Sequence, residues 1–404
     1  MRILFLSDNF PPEVNAPATR TYEHCVRWVE KGAEVTVITC NPNFPKGKLY
    51  DGYKNSFKSS EVIDGIKVIR VWSFIAPNSG FFKRVIDFLS YAMMAFIVGL
   101  FQKCDVIIGT SPQFFTAISA RWLSFFKRKP WVMEVRDLWP ESIAAVGAMK
   151  RSSFIFRLLE RIEKGLYRSA RMIVVVTDSF KDKIVGLGIQ ASKVHVVKNG
   201  VDSTKFKPGP KDEKLIEELN LKGKKLIGYI GTHGMSHALD FILDCANEMQ
   251  QSNFHFIMLG DGAEKKKLVA KAKRLNLENV SFLPFVDKSE ISNYISILDL
   301  ALVNLKKSDL FKTVIPSKIF ENACMLKPIL LGVEGETKEI IESYNAGVAF
   351  IPENIESFLS AIDKISKEEN YRQYKLGCAS LAKDFERSTL AMNMFNKLEA
   401  ILSN

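Results

Sequence analysis

KLIGYIGTHGMSHALDFILDCANEMQQSNFHFIMLGDG, residues 225–262, decides the fold. It reads as an apolar strand, KLIGYIGT, that closes on a Gly-rich turn, then an amphipathic helix near 238–250. A second apolar strand follows, FHFIMLGDG, closing on Gly-Asp-Gly. Two sheet strands joined by a helical crossover pair parallel. Parallel sheets are covered on both faces, so their strands are near-continuous Val, Ile and Leu. Working outward, the rhythm continues through NVSFLPF, LALVNL, KPILLG and GVAFI, with helices expected near 263–275, 288–296, 316–325 and 336–344. Towards the N-terminus RILFLSD, EVTVITC, IKVIRVW, DVIIGTS, PWVMEVRD, RMIVVVTD and KVHVVKN read as strands. Helical patterns at 18–31, 81–101, 112–127 and 151–168 lie between them. The result is α/β: two doubly wound units in tandem. VVKNGVDSTKFKPGPKDEK, residues 196–214, breaks the rhythm with Pro, Gly and mixed charge, which places a linker there. Residues 371–404 read as helical with no strand after them.

At 404 residues the chain suits two domains, and 47% apolar with 25% charged residues suits a globular protein. The N-terminus MRILFLSD reads as a strand, not a signal peptide. Six scattered cysteines without a CxxC pair argue against a disulfide framework or zinc site and for the reducing cytosol. Residues 1–200 carry 29 Lys and Arg against 17 Asp and Glu, whereas residues 201–404 carry 27 against 28. The first half is therefore expected to face something anionic, or to be a solubilising surface. No nucleic-acid motif appears, so nucleic acid is not a predicted partner. FLSYAMMAFIVGLF, residues 88–101, is uncharged, but as a helix it falls short of the roughly 30 Å hydrocarbon core. FFTAISARWLSFFKRKP, residues 114–130, ends in Lys127, Arg128 and Lys129. Apolar and aromatic surface beside cations suits an anionic bilayer surface, and an ordinary buried helix is the alternative.

In doubly wound units ligands bind beyond the carboxyl ends of the strands. SDNFPPEVNAPATR, residues 7–20, brings Arg20 near a helix start, where an anion also meets free amides. MEVRDLWPES, residues 133–142, delivers Arg136 and Asp137 for substrate recognition or proton handling, or as a structural ion pair. GYIGTHGMSH, residues 228–237, has the strand, Gly-rich turn and helix start of a phosphate cradle. His233 and His237 there lack a third ligand, so no metal is assigned. LGDGAEKKKL, residues 259–268, reads as a second sharp turn capped by Asp261. In TVIPSKIFENACMLKPILLG, residues 313–332, Pro316 and Ser317 open a helix with Lys318 in its first turn and Glu321 on the same face. A cation there opposes the helix dipole and makes better sense facing a phosphate, while Glu321 suits sugar hydroxyls. A Ser-capped helix with an i, i+3 ion pair is the alternative. Asp-x-Asp, G-x-x-x-x-G-K-[ST], G-x-S-x-G and H-E-x-x-H are absent.

PPEVNAPATR, EVTVIT, EVRDLWPES, VVKNGVDSTKF, GYIGTHG, LGDGAEKKKL, NVSFLPFV and PSKIFENACMLKPIL occur in that order along nearly the whole chain. The series resembles family-4 glycosyltransferases with the GT-B fold. In particular it is similar to bacterial O-antigen and capsule enzymes of the WbuB type, which are associated with N-acetyl-L-fucosamine transfer. The resemblance implies two Rossmann-like domains facing a deep interdomain cleft, 1–200 for the acceptor and 201–384 for the donor. It implies that a helix at about 385–404 packs back on the first domain. It implies a UDP-sugar donor, a polyprenyl-diphosphate-linked saccharide acceptor, and retention of configuration with no metal or other cofactor. The expected location is cytoplasmic, peripheral on the inner face of the cell membrane. Glu321 matches the second Glu of the family's E-x7-E motif, whose first Glu falls at Thr313. The family's Arg and Lys after the Gly-rich strand have no counterpart near Thr232–His237. Lys318 and the backbone of Gly231, Thr232, His233 and Gly234 are the expected substitutes. Gly260, Asp261, Pro316, Ser317 and Phe285, within the base-reading segment 284–286, complete the implied donor set. Glu13, Asn15 and Arg20 are implied on the acceptor side. Arg136 takes roughly the place of a catalytic-loop His and, with Asp137, is the implied catalytic pair. A UDP-sugar epimerase of the same fold, or a non-catalytic sugar-nucleotide-binding protein, are the alternatives.

Overall fold

The computed structural model describes the chain except residues 45–46, 76–80, 112–113, 146–148 and 404. Contacts divide it into unit 1, Met1–Asn199 with Arg387–Asn404, and unit 2, Gly200–Glu386. Unit 1 runs β1 (Arg2–Leu6), α1 (Ala16–Glu30), β2 (Glu34–Cys40), β3 (Lys58–Ile63), β4 (Ile66–Val71) and α2 (Phe81–Leu100). It continues with β5 (Val106–Thr110), α3 (Phe115–Lys127), β6 (Trp131–Val135), α4 (Glu141–Ala145) and α5 (Phe154–Ser169). β7 (Met172–Val175), α6 (Asp178–Gly186) and β8 (Val194–Val196) complete its sheet. The strand order is β3-β4-β2-β1-β5-β6-β7-β8, parallel throughout except β3 against β4. The residues at 112 and 113, where the sequence places the start of the third helix, lie outside the described residues.

β3 is absent from the sequence reading. It is an edge strand whose side chains are mostly exposed, so it carries no continuous apolar signal. What makes it is the turn: Asp64 and Gly65 both have positive φ, 48° and 78°, as a two-residue hairpin connection demands.

Unit 2 runs α7 (Glu213–Glu218), β9 (Lys225–Ile230), α8 (Leu239–Glu248), β10 (Phe254–Leu259), α9 (Lys265–Arg274), β11 (Val280–Leu283) and α10 (Ile291–Ile297). Then come β12 (Leu300–Asn304), α11 (Lys318–Cys324), β13 (Ile329–Gly332), α12 (Glu336–Ser343) and β14 (Gly347–Ala349). α13 (Ile355–Ser366) and α14 (Glu368–Asp384) close it, and α15 (Arg387–Ser403) belongs to unit 1. The sheet order β11-β10-β9-β12-β13-β14 is parallel throughout. α15 is tied to α1 by Trp28, whose indole N–H donates to the Ala391 carbonyl at 2.9 Å.

The centre of unit 1 is a buried ion pair. Arg20 Nε donates to Glu134 Oε1 at 2.9 Å, Nη2 to the Val197 carbonyl at 2.9 Å and Nη1 to the Lys198 carbonyl at 3.0 Å. Thr110 Oγ1 donates to the other Glu134 oxygen at 2.7 Å. One clamp thus joins α1, β5, β6 and the segment after β8. Burial alone would raise the Glu134 pKa, but the Arg20 and Arg136 charges hold it at about 2. Glu134→Ala leaves Arg20 buried without its counter-charge, and we expect a loss of about 3–5 kcal/mol in urea denaturation at pH 7. Because the native pKa is depressed, the stabilisation is complete above the unfolded value of about 4.3 and drains away as pH falls towards 2. Denaturation at pH 3 should therefore narrow the gap between Glu134→Gln and the parent, and a constant gap would contradict the assignment.

Candidate functional site

In unit 2 the strand order reverses direction between β9 and β12, so the loops leaving their carboxyl ends part and open a crevice for a ligand. The loop after β9, residues 231–234, is locked onto the loop after β10. Gly231 N donates to the Leu259 carbonyl at 2.9 Å and His233 N to the Asp261 carbonyl at 2.8 Å. Those two amides are spent on structure, which corrects the expectation of a cradle open along the whole turn. α8 does not start at the turn either; a single 3-10 turn, Met235–His237, intervenes. Gly260 makes the contact possible: its φ is +139°, and a Cβ there would lie 2.0 Å from the Gly231 carbonyl oxygen. Asp261 accepts from the Gly262 amide at 2.8 Å, closing its own turn. Lys265 is structural too, donating to the Gly260 and Leu283 carbonyls at 2.6 and 2.8 Å.

Lys318 opens α11. Ser317 makes no side-chain cap bond, and among the described residues Lys318 and Glu321 form no ion pair, so the Ser-capped helix with an i, i+3 pair is not what forms. The Lys318 ammonium instead lies 4.0 Å from the centroid of the Tyr229 ring. It sits 2.7 Å from the point a Cβ on Gly231 would occupy, so a larger residue there would push the ammonium from its place. Burial lowers its pKa to about 8. Burial raises the Glu321 pKa, with Lys288 and then Lys318 pulling it back. His233 is fully buried and neither ring nitrogen has a partner. Burial lowers His233 and His237 to about 4, so both are neutral at pH 7. Phe285, in the loop after β11, is exposed. Pro316 accepts the Ile319 amide through its carbonyl at 3.1 Å and shapes the entry to α11. The start of α11 thus sets one ammonium, with no ion-pair partner among the described residues, beside the two neutral imidazoles of the turn after β9, an arrangement that suits an oxyanion with hydrogen-bonding oxygens.

Sequence reasoning missed Tyr229 and Asn304. Period two along β9 puts Tyr229 on the same face as Gly231, the one signal available. Asn304, at the end of β12, donates to the His237 carbonyl at 2.8 Å and holds the 3-10 turn.

In unit 1 the expected acceptor residues are engaged internally. Glu13 accepts the Asn43 and Phe44 amides at 2.8 and 2.9 Å, Asn15 accepts the Ala18 amide at 2.9 Å as the cap of α1, and Arg20 forms the clamp. Arg136 and Asp137 are not ion-paired with each other; both backbone amides donate to Ser111 Oγ, at 2.7 and 3.2 Å. Arg136 Nη2 donates to the Ala16 carbonyl at 3.0 Å, while Nε and Nη1 are buried without a partner. Burial lowers the Arg136 pKa to about 10, against the pull of Glu134. Burial raises the Asp137 pKa. Among the described residues no group of three or more His, Cys, Asp and Glu is placed to hold a metal ion.

Residues 15–200 match the family model described as a glycosyl transferase 4-like domain, and residues 211–375 match glycosyl transferases group 1. WcaI of Escherichia coli strain K12, named for colanic acid biosynthesis, is 23% identical over 374 residues, 90% of this chain and 91% of its own. WbjE of Pseudomonas aeruginosa, named as a glycosyltransferase, is 27% identical over 274 residues, 65% of this chain and 66% of its own. The crystal structure of Anabaena HepE with UDP and glucose covers 99% of this chain and 100% of its own, with TM-score 0.71 and 17% identity.

The Lys318 pKa of about 8 has a pH consequence. An anion binds the ammonium form, so affinity should be full below pH 8 and fall as pH rises through it, up to about tenfold per unit. Calorimetry with UDP between pH 6.5 and 9.5 should show that alkaline decline in the parent and not in Lys318→Met. The same decline in both would exclude Lys318 as the anion's partner.

Proposed function

We propose, for a chain that belongs to the family-4 glycosyltransferases with the GT-B fold, that it moves a sugar from a UDP-sugar held by unit 2 to a polyprenyl-diphosphate-linked saccharide. The reaction retains anomeric configuration, needs no metal ion, and serves O-antigen or capsule assembly, with N-acetyl-L-fucosamine as the sugar best suited to the RDLWPES and PSKxFE resemblance. The observation that carries the reading is the Lys318 ammonium, without an ion-pair partner among the described residues, over Tyr229 at the Gly231 turn. When the bond from sugar to diphosphate breaks, negative charge grows on the leaving diphosphate, and a preplaced cation in a partly dehydrated site stabilises it. Glu321, one turn along α11, is assigned the ribose hydroxyls, and the exposed segment around Phe285 the base. Arg136, with two buried N–H groups unpartnered, is assigned the reacting end of the acceptor.

The acceptor's lipid tail calls for a membrane surface. α2 presents Ile86, Leu89, Met93 and Ile97 outward, followed by exposed Phe101, and Asp87 is the one charged residue within that run. On α3 Trp122, Phe125 and Phe126 are exposed and in mutual ring contact, and Phe126 meets Phe96 of α2 at 5.8 Å. α5 adds exposed Phe154, Ile155 and Leu158 beside Arg157 and Arg161. Among the described residues no helix is long and apolar enough to cross a membrane. Aromatic and aliphatic surface flanked by cations fits peripheral binding to the anionic inner face.

Replacing Lys318 or Glu321 by Ala should each lower donor kcat/KM about 10- to 100-fold, the loss of one charge-assisted hydrogen bond. Normal donor kinetics in both folded variants would sink the assignment. Turnover should survive EDTA; loss restored by manganese or magnesium would refute metal independence. In flotation the protein should rise with anionic vesicles at low salt and stay down at high salt. Serine at Trp122, Phe125 and Phe126 together should abolish that binding, and equal binding to neutral vesicles would rule out the surface.

A further inference from the structure

Something other than a counter-charge holds Lys318 in place. Its side chain is half-buried, and among the described residues its ammonium has no carboxylate in ion-pair reach and no hydrogen-bond acceptor. A lysine on a flexible four-carbon stem adopts one position only if an attraction selects it. The attraction present is the face of Tyr229, 4.0 Å away, because the ring's negative face draws cations. Tyr229 is itself fixed: the ring is fully buried, and its hydroxyl donates to the Thr232 carbonyl at 2.8 Å. The rings of His233 and His237 lie 5.9 and 5.8 Å from it and brace its remaining sides. The ammonium also borders the bare Cα of Gly231. The titratable groups around the ammonium are Glu321 on its own helix and the two histidines of the loop after β9.

We propose that Tyr229 is a positioning residue of the donor site: its ring seats the Lys318 ammonium against the Gly231 turn, and its hydroxyl ties that turn to the ring. Tyr229 acts through Lys318 and touches no substrate. The proposal rests on the reading of Lys318 as the cation that meets the diphosphate.

From Tyr229→Phe, which removes the hydroxyl bond to Thr232, the fluorine series keeps the packing and changes the ring's electron density. Tyr229→Phe is followed by phenylalanines carrying one, two and three ring fluorines at position 229, each weakening the negative face. UDP affinity is measured by calorimetry across pH 6.5–9.5. Tyr229→Phe should bind within about threefold of the parent, and affinity should then fall stepwise by about 5- to 10-fold over the fluorine series. The pH above which binding declines should move down in the same order, since a weaker seat favours the neutral amine. In a Lys318→Met background the fluorines should have no effect. A flat series with Lys318→Met still impaired overturns the role of Tyr229 alone. Unchanged UDP affinity in Lys318→Met overturns the donor-site reading beneath it.

Discussion

Backbone against backbone between the turns after β9 and β10 is the constraint on which the candidate site depends. The turn after β10 reaches the turn after β9 only because residue 260 has no Cβ; any other residue would stand 2.0 Å from the Gly231 carbonyl oxygen. The two turns then share hydrogen bonds, and the loop at 231–234 becomes a fixed wall. Against that wall Gly231 leaves open the volume that the Lys318 ammonium fills. Two glycine-dependent approaches thus convert a generic parallel sheet edge into a place for one charge.

The electrostatics of the two units follow different rules. In unit 1 the Arg20 charge is buried and fully answered by Glu134 and backbone carbonyls, which makes it a fastening. In unit 2 the Lys318 charge meets an aromatic face at close range and only the longer-range attraction of Glu321, with no ion pair among the described residues. An aromatic face stabilises a cation without neutralising it, so the ammonium keeps its attraction for an anion. The histidines beside it add no charge at neutral pH, because burial holds both near 4. Arg136 stands between these cases, with one nitrogen satisfied and two buried without partners.

The amino-acid sequence by itself determined the parallel α/β architecture, because strands buried on both faces must be apolar along their length, and thirteen such runs are legible. It also placed Lys318 and Glu321 on one helix face, since spacing of three residues has a single helical meaning. β3 escaped because an exposed edge strand is selected by its Asp64-Gly65 turn and not by burial. Tertiary structure alone decided which polar groups are free. Arg20 and Lys318 look alike as residues near helix starts, yet Glu134 and the segment after β8 occupy all three nitrogens of one, while the fold brings the other a ring and no ion-pair partner among the described residues. Residues far apart in the chain, such as Tyr229 and Lys318 or Arg20 and Val197, meet through sheet order and loop closure. Whether a charge is fastened or left available depends on those meetings, and spacing along the chain does not encode them.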